Sequence, residues 1–282
     1  MAERTRQVRG VTVPTLLYGT AWKEERTAHL VEQALRMGFR GLDTANQRRH
    51  YFEAEAGRAL RAELERGTLR REDVFVQTKF TFQTYQDHRL SYDPAAPIAR
   101  QVEQSFDSSL SHLGVDVVDS YLLHAPAAPR ELSTADIEAW RAMEVLCETG
   151  QARSIGVSNF AADQLAALIR SARVRPAFVQ NRCYASQGWD AGVRAICSRE
   201  GVAYQGFSLL TANERVLRGS LVDDIARRHQ RAPAQVILRF ALQLGMIALT
   251  GTTNAQHMAD DLAVYEFKLT SAEMNALEHA GS

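Results

Sequence analysis

Three polar side chains that could take part in proton transfer each come at the end of a short apolar or β-branched stretch. They are Asp43, Lys79 and His124. Because the carboxyl ends of parallel strands meet on one face of an α/β barrel, we expect these three side chains to lie together. Tyr51 follows Asp43 and is the fourth candidate. This set predicts proton donation to a carbonyl oxygen, coupled to hydride transfer.

Carbonyl reduction places negative charge on oxygen, so a catalyst must deliver a proton or fixed dipoles to that atom. A tyrosine has an ordinary pKa of about 10 and is a poor acid until a nearby cation stabilises its phenolate. Lys79 would be this cation for Tyr51, and Asp43 would neutralise the buried ammonium. His124 would orient the carbonyl by hydrogen bonding. Lys79 alone would equally suit a Schiff-base aldolase.

The composition limits the possible partners. The chain has 282 residues, 45% of them hydrophobic, and its 33 basic residues balance 33 acidic ones. This balance argues against nucleic acid or an anionic membrane as a main partner, and no obligatory protein partner is evident. Three cysteines without CxxC spacing and a polar stretch over residues 1–10 favour the cytoplasm. The eight histidines are scattered, so we expect no metal site and disfavour a metal hydrolase.

Eight short apolar stretches alternate with segments of helical periodicity. Residues 98–113 and 234–244 show the spacing of a helix that packs one face on a sheet. This alternation predicts one α/β domain over residues 1–282, a parallel eight-stranded (β/α)8 TIM barrel with its site at the carboxyl ends of the strands. No GxGxxG follows the first strand, which argues against a Rossmann domain. The polar segment 81–97 is expected to be a functional loop over the site. The predicted strands are 15–18, 41–43, 74–79, 117–124, 154–157, 177–180, 202–207 and 246–249.

Six segments also carry recognisable motifs: GTAW at 19–22, GFRGLDTA at 38–45, TK at 78–79, DSYLLH at 119–124, GVSNF at 156–160 and PAQVILR at 233–239. In this order they resemble the aldo-keto reductase family over nearly the whole chain. The resemblance implies a single barrel that binds a nicotinamide cofactor across its mouth and reduces aldehydes and ketones. A non-catalytic nicotinamide-binding regulatory subunit on the same barrel remains the alternative.

The tyrosine region departs from the usual family pattern. Most members place the tyrosine closer to the aspartate, whereas residues 46–50 intervene here and Arg48 takes the usual position. Tyr51 is assigned as the acid because the residues up to Gly57 follow it as they follow the family's tyrosine, and a subset of the family carries this His-Tyr form. His50 stays open as a rival acid or as a substrate contact.

The resemblance also implies a set of cofactor contacts. Ser158, Asn159 and Gln180 would bind the nicotinamide carboxamide, Phe207 would stack on its ring, and Ser208 and Leu210 would lie beside the pyrophosphate. The remaining cofactor positions are Gly19, Thr20, Asp43, Gly251, Thr252, Thr253, His257 and Asp261.

At the adenosine end, the lysine and arginine that surround the 2′-phosphate in NADP-preferring members are replaced by Gly251 and His257. Each lost charge-assisted contact is worth roughly 1.5–3 kcal/mol. The threonines around residue 252 could still hold a phosphate. Because the family that the chain resembles commonly uses NADP(H), NADP(H) is the expected cofactor, with NAD(H) as the alternative.

The substrate is a small carbonyl compound by the same resemblance. Trp22, His50, Phe80 and His124 are the predicted substrate contacts, and Tyr85 is expected to join the aromatic mouth, which would suit flat or apolar compounds. The chain stops after a final helical stretch at 271–279. A long C-terminal loop would therefore be missing, and we expect broad specificity.

Overall fold

A computed structural model describes residues 3–281 and shows a closed barrel of eight parallel strands, as the sequence predicts. All eight predicted strands are present, most of them beginning one residue later than expected. The eighth strand of the barrel pairs with both the first and the seventh, which closes the ring. The barrel strands are β3 (Leu16–Gly19), β4 (Gly41–Asp43), β5 (Phe75–Phe80), β6 (Ser120–Leu123), β7 (Ile155–Ser158), β8 (Phe178–Arg182), β9 (Ala203–Phe207) and β10 (Ile247–Thr250).

Eleven α-helices lie in residues 3–281, and the helices between the strands surround the barrel. The helix predicted at 98–113 matches its observed bounds, and it ends at Gly114, which adopts the left-handed conformation that glycine tolerates. The helices are α1 (Thr27–Met37), α2 (Glu53–Glu65), α3 (Ile98–Leu113), α4 (Thr134–Glu148), α5 (Ala162–Ser171), α6 (Ala191–Glu200), α7 (Glu214–Leu217), α8 (Ser220–His229), α9 (Pro233–Gln243), α10 (Ala255–Leu262) and α11 (Ser271–Glu278). None of the helices in this part of the chain is both long and apolar enough to span a bilayer.

A hairpin that the sequence analysis did not identify precedes the barrel. Its strands are β1 (Thr5–Val8) and β2 (Val11–Pro14), which pair antiparallel across a two-residue turn. Val8, Val11 and Val13 are buried in one cluster with apolar residues of the barrel strands, among them Phe75 and Phe178. The alternation of buried and exposed residues in β2 is the signal that could have revealed this strand.

Alternation along β5 decides which of its residues can reach the site. Gln77 and Lys79 make hydrogen bonds to residues of other strands inside the barrel, whereas Phe80 packs on Phe82 and Tyr92. Successive side chains of a strand point to opposite faces, so Lys79 and Phe80 cannot both face the barrel interior. Lys79, a candidate site residue, therefore lies on the inward face of a fully buried strand.

Candidate active site

Lys79 and Asp43 form a buried ion pair at the carboxyl ends of β5 and β4. The Lys79 ammonium donates to both carboxylate oxygens of Asp43 and to the carbonyl oxygen of Thr44, each at 2.8 Å. Both side chains are almost completely buried. Burial lowers the pKa of Lys79 from its ordinary value, and the Asp43 charge opposes that change. The pair is thus a cation held in place by its own counter-ion.

A group of glutamines holds Asp43 from inside the barrel. Gln77 and Gln180 donate to its Oδ1 atom at 2.6 Å and 2.9 Å. Both amides also donate to Oε1 of Gln205, which donates back to Gln77. Gln180, the predicted carboxamide contact, therefore lies beside Asp43, with its amide nitrogen bonded to Asp43 and Gln205. The network fixes the carboxylate and supplies it with neutral donors.

Tyr51 lies over the ion pair and beside His124. The Lys79 nitrogen is 5.3 Å from the centre of the Tyr51 ring, and the Tyr51 and His124 rings meet edge to face at 5.7 Å between centres. No residue of the described chain forms a hydrogen bond to the Tyr51 hydroxyl. Burial and the negative charge of Asp43 raise the pKa of Tyr51 above its ordinary value. The Lys79 ammonium thus faces Asp43 rather than the phenol.

His50 lies at the mouth of the barrel rather than over the ion pair. Its ring stacks on Trp22 with 4.0 Å between centres, and its carbonyl oxygen accepts from the Trp22 amide at 2.7 Å. Burial and the Arg49 charge lower the pKa of His50, so it is neutral at pH 7. Trp22 is 70% exposed. The two rings form an aromatic edge to the site, in the place that a substrate contact would occupy.

His124 follows β6 directly and is held by both neighbouring loops. Its Nδ1 atom lies 2.7 Å from the Thr81 hydroxyl oxygen. Its carbonyl oxygen accepts from Nδ2 of Asn159 at 2.9 Å. Burial, together with the charge of Lys79, lowers the pKa of His124 well below its usual range. The imidazole is therefore neutral at physiological pH.

Three residues that lie within three positions after a strand at this end have left-handed backbone conformations. They are Trp22, Asn159 and Ser208, with φ values of 61°, 60° and 55°. Such a conformation costs roughly 1–3 kcal/mol in a residue other than glycine and is concentrated at functional sites. Asn159 and Ser208 belong to the predicted cofactor contacts, and the same end of the barrel carries all four candidate catalytic residues.

The other predicted cofactor residues form two groups. Ser158 and the partly exposed Phe207, Ser208 and Leu210 lie at or just after the ends of β7 and β9. Gly251, Thr253 and His257 lie in the exposed segment after β10, and Thr252 is half-buried there. Gly251 follows β10, which pairs with the strand that ends at Gly19. The two groups flank the barrel mouth.

Three predicted contacts are buried. Phe80 was predicted to lie at the mouth. Instead, its side chain points away from the barrel interior and is buried against Phe82 in the hydrophobic core outside the barrel. Asp261 is buried behind β10, where its carboxylate accepts from the Thr250 hydroxyl at 2.6 Å. Thr20 is buried and donates to the carbonyl oxygen of Asp43. Tyr85, the extra aromatic, is half-buried, and its hydroxyl donates to the carbonyl oxygen of Pro126.

The sequence analysis missed Lys23, which is one of only three lysines in the chain. Only 5% of it is exposed, and its ammonium donates to the carbonyl oxygen of Gly251 at 2.7 Å. No carboxylate in residues 3–281 forms an ion pair with it. Burial, helped by Arg26, lowers its pKa from 10.5 to about 8. The ammonium therefore lies beside Gly251, the position at which glycine replaces the family's lysine. A buried ammonium without a counter-charge at this place could bind the phosphates of a dinucleotide.

A cavity of about 280 Å³ lies beside Tyr51, between the loop that carries it and helix α3. Arg48 and Phe52 line it on one side, and Arg89 and Ser108 on the other. Arg89 comes from segment 81–97, predicted as a loop over the site. Arg48 pairs with Glu24, and Arg89 pairs with Asp87. Both guanidinium groups are therefore already neutralised by a carboxylate.

The family model for aldo/keto reductases matches residues 15–281. The chain is 32% identical to morphine 6-dehydrogenase of Pseudomonas putida, over 95% of this chain and 88% of that protein. It is 31% identical to a probable NAD(P)H-dependent D-xylose reductase of Emericella nidulans, over 95% and 90%. The crystal structure of an aldo/keto reductase from Brucella melitensis superposes with a TM-score of 0.83 and 26% identity over 98% of both chains.

The chain therefore belongs to the aldo/keto reductase family. It is an NAD(P)H-dependent oxidoreductase of the kind that reduces small carbonyl compounds. This result confirms the fold and the function inferred from sequence. It favours reduction over the Schiff-base aldolase that Lys79 alone would have allowed, and the ammonium bound to three oxygen atoms agrees with that outcome.

Proposed function

We propose that this protein reduces aldehydes and ketones to alcohols with Tyr51 as the proton donor, Lys79 and Asp43 as its electrostatic support and His124 as the residue that orients the carbonyl. The observation that carries this proposal is the placement of the Tyr51 ring between the Lys79 ammonium and the His124 ring. When bound, the nicotinamide cofactor supplies the hydride. The protein supplies the proton and the fixed dipoles.

Each residue has a separate task in this scheme. Tyr51 is neutral at pH 7, since a phenol has an ordinary pKa of about 10 and burial raises it further, so it holds the proton that the developing alkoxide needs. Lys79 stabilises the phenolate that remains after transfer, and Asp43 keeps the lysine charged within a buried site. His124 is neutral and can bind the carbonyl oxygen without adding a second charge. The Trp22 and His50 rings would border the substrate at the open edge.

We propose NADP(H) as the preferred cofactor, with NAD(H) as the alternative. The support is Lys23, whose buried ammonium lies where a phosphate could neutralise it. The stretch that follows Gly251 also contains Thr252, Thr253 and His257, whose hydroxyl and imidazole groups could make further contacts with a phosphate. The substrate class is small carbonyl compounds with flat or apolar substituents, because the site edge is aromatic.

The test is consumption of NADPH or NADH with a panel of small aldehydes and ketones, with Tyr51→Phe and His50→Ala measured together with the native protein. We expect Tyr51→Phe to lower kcat by about a hundredfold or more, within the range for loss of a general acid. His50→Ala should mainly raise KM. If His50→Ala abolishes turnover while Tyr51→Phe retains it, His50 is the acid. Absence of turnover with both cofactors across the panel would favour the regulatory-subunit alternative.

A further inference from the structure

The Thr81 hydroxyl has only one hydrogen-bonding partner within residues 3–281, and this partner is Nδ1 of His124, 2.7 Å away. Thr81 is completely buried. Its position is fixed by its own carbonyl oxygen, which accepts from the Tyr92 hydroxyl at 2.9 Å and from Nε2 of Gln86 at 2.8 Å. The threonine is thus clamped in one place, with its hydroxyl against the imidazole.

This contact determines which nitrogen of His124 carries its proton. A neutral imidazole has one N–H and one acceptor nitrogen, and a hydroxyl can donate one hydrogen bond. If Nδ1 carried the proton, it would donate to Thr81 and leave the Thr81 hydrogen buried without an acceptor. Proteins avoid such unpaired buried donors. If Nδ1 is the acceptor, the Thr81 hydrogen is satisfied and the proton of His124 lies on Nε2.

We propose that Thr81 is a positioning residue that fixes His124 as the Nε2–H tautomer, so that the imidazole donates a hydrogen bond to the substrate carbonyl. The inference rests on the proposed function. Nε2 has no hydrogen-bonding partner in the described chain, and His124 as a whole is only half-buried, so this donor is available to a ligand. The Tyr51 and His124 rings meet edge to face at 5.7 Å between centres, so the Tyr51 hydroxyl could serve as a second donor. Two donors then serve the two lone pairs of one carbonyl oxygen.

The opposite tautomer would defeat this arrangement. A bare Nε2 lone pair would face the lone pairs of the carbonyl oxygen and repel it. The site would lose one of its two donors to the developing negative charge, while the cofactor contacts would be unaffected. A change at Thr81 should therefore act on kcat/KM for the carbonyl substrate and leave cofactor affinity unchanged.

The experiment compares Thr81→Val, which keeps the shape but removes the hydroxyl, with Thr81→Ser, which keeps the hydroxyl. Ser154→Ala is the matched control, because it removes another buried hydroxyl bond at the opposite end of the barrel. Nitrogen NMR of histidine-labelled protein reads the tautomer directly, and His124→Gln identifies the signal. Kinetics with an aldehyde and fluorescence titration with NADPH complete the set.

We expect native protein and Thr81→Ser to show protonated Nε2 and unprotonated Nδ1. Thr81→Val should lose this preference and lower kcat/KM by up to about a hundredfold, with NADPH affinity unchanged. A native Nδ1–H tautomer, or an unchanged tautomer in Thr81→Val, would overturn the proposal. If Thr81→Val does not fold, the native tautomer and that of Thr81→Ser decide. Failure of the native protein to turn over would refute the proposed function but leave the tautomer measurement intact.

Discussion

The substitution Lys23→Met should make the cofactor-free protein more stable and cofactor binding weaker. Lys23 is 5% exposed, and its neighbours are a carbonyl oxygen 2.7 Å away and the Tyr18 ring, whose centre is 5.1 Å from the ammonium. Neither carries a negative charge. Methionine has a similar length and keeps the apolar stem, but it removes the charge. The protein would thus gain stability by giving up a phosphate contact.

The magnitude follows from the pKa of Lys23. Its fall from 10.5 to about 8 corresponds, at 1.36 kcal/mol per pH unit, to about 3 kcal/mol of unfolding free energy. Because the folded pKa lies below the unfolded one, this cost is fully present below pH 8 and disappears as the pH rises towards 10.5. Lys23→Met should therefore stabilise the free protein by up to about 3 kcal/mol at pH 7, less the lost hydrogen bond.

Cofactor binding should change in the opposite direction. A charge-assisted contact is worth about 1.5–3 kcal/mol, so the Kd for NADPH should rise about ten- to a hundredfold in Lys23→Met. Native affinity should also weaken as the pH rises beyond about 8, where free Lys23 loses its proton, whereas the variant should lack this dependence. A loss limited to NADPH would indicate the 2′-phosphate, and an equal loss for NADH would indicate the pyrophosphate.

The measurements are urea unfolding at pH 7 and at about pH 10, and fluorescence titration with both cofactors. Lys268→Met is the matched control, because Lys268 is exposed on the surface. We expect the control to match the native protein in both assays. The reasoning fails if Lys23→Met binds NADPH with native affinity, or if its unfolding free energy falls by as much at pH 7 as at pH 10.

Three other substitutions test the buried charges. Asp43→Asn leaves the Lys79 ammonium without its counter-ion and should lower the unfolding free energy by about 3–5 kcal/mol, measured by urea denaturation; an unchanged midpoint would contradict the ion-pair role. Burial raises the pKa of Asp261 to about 6, so the unfolding free energy of the native protein should increase as the pH falls from 6 towards 4. Asp261→Asn should stabilise the protein at pH 7 by up to about 3 kcal/mol and should abolish that increase. Glu53 accepts a hydrogen bond from Thr78, which precedes the proposed catalytic residue Lys79, so Glu53→Gln should lower kcat several-fold with little change in NADPH affinity; an equal loss of both would indicate general unfolding.

The residues at strand ends were predictable from sequence. Asp43, Lys79 and His124 end apolar stretches, and parallel strands in a barrel bring such ends to one face. The pattern and order of the apolar stretches were therefore enough to predict the barrel, the Asp43–Lys79 ion pair and the position of His124 near that pair. The family motifs added the cofactor and the reaction. The hairpin before the barrel was missed because its strands are short and half of their residues are polar.

Sequence could not supply contacts between distant segments or the direction of individual side chains. Lys23 meets Gly251 across 228 positions, and no local pattern indicates that meeting. Phe80 was predicted to lie at the mouth, but because side chains alternate along a strand, Phe80 points into the core when Lys79 points into the barrel. Likewise, the tertiary structure alone put Thr81 against the imidazole of His124 and separated Tyr51 from His50. Local sequence fixes which residues end a strand, whereas the partners of a buried charge depend on the closure of the whole barrel.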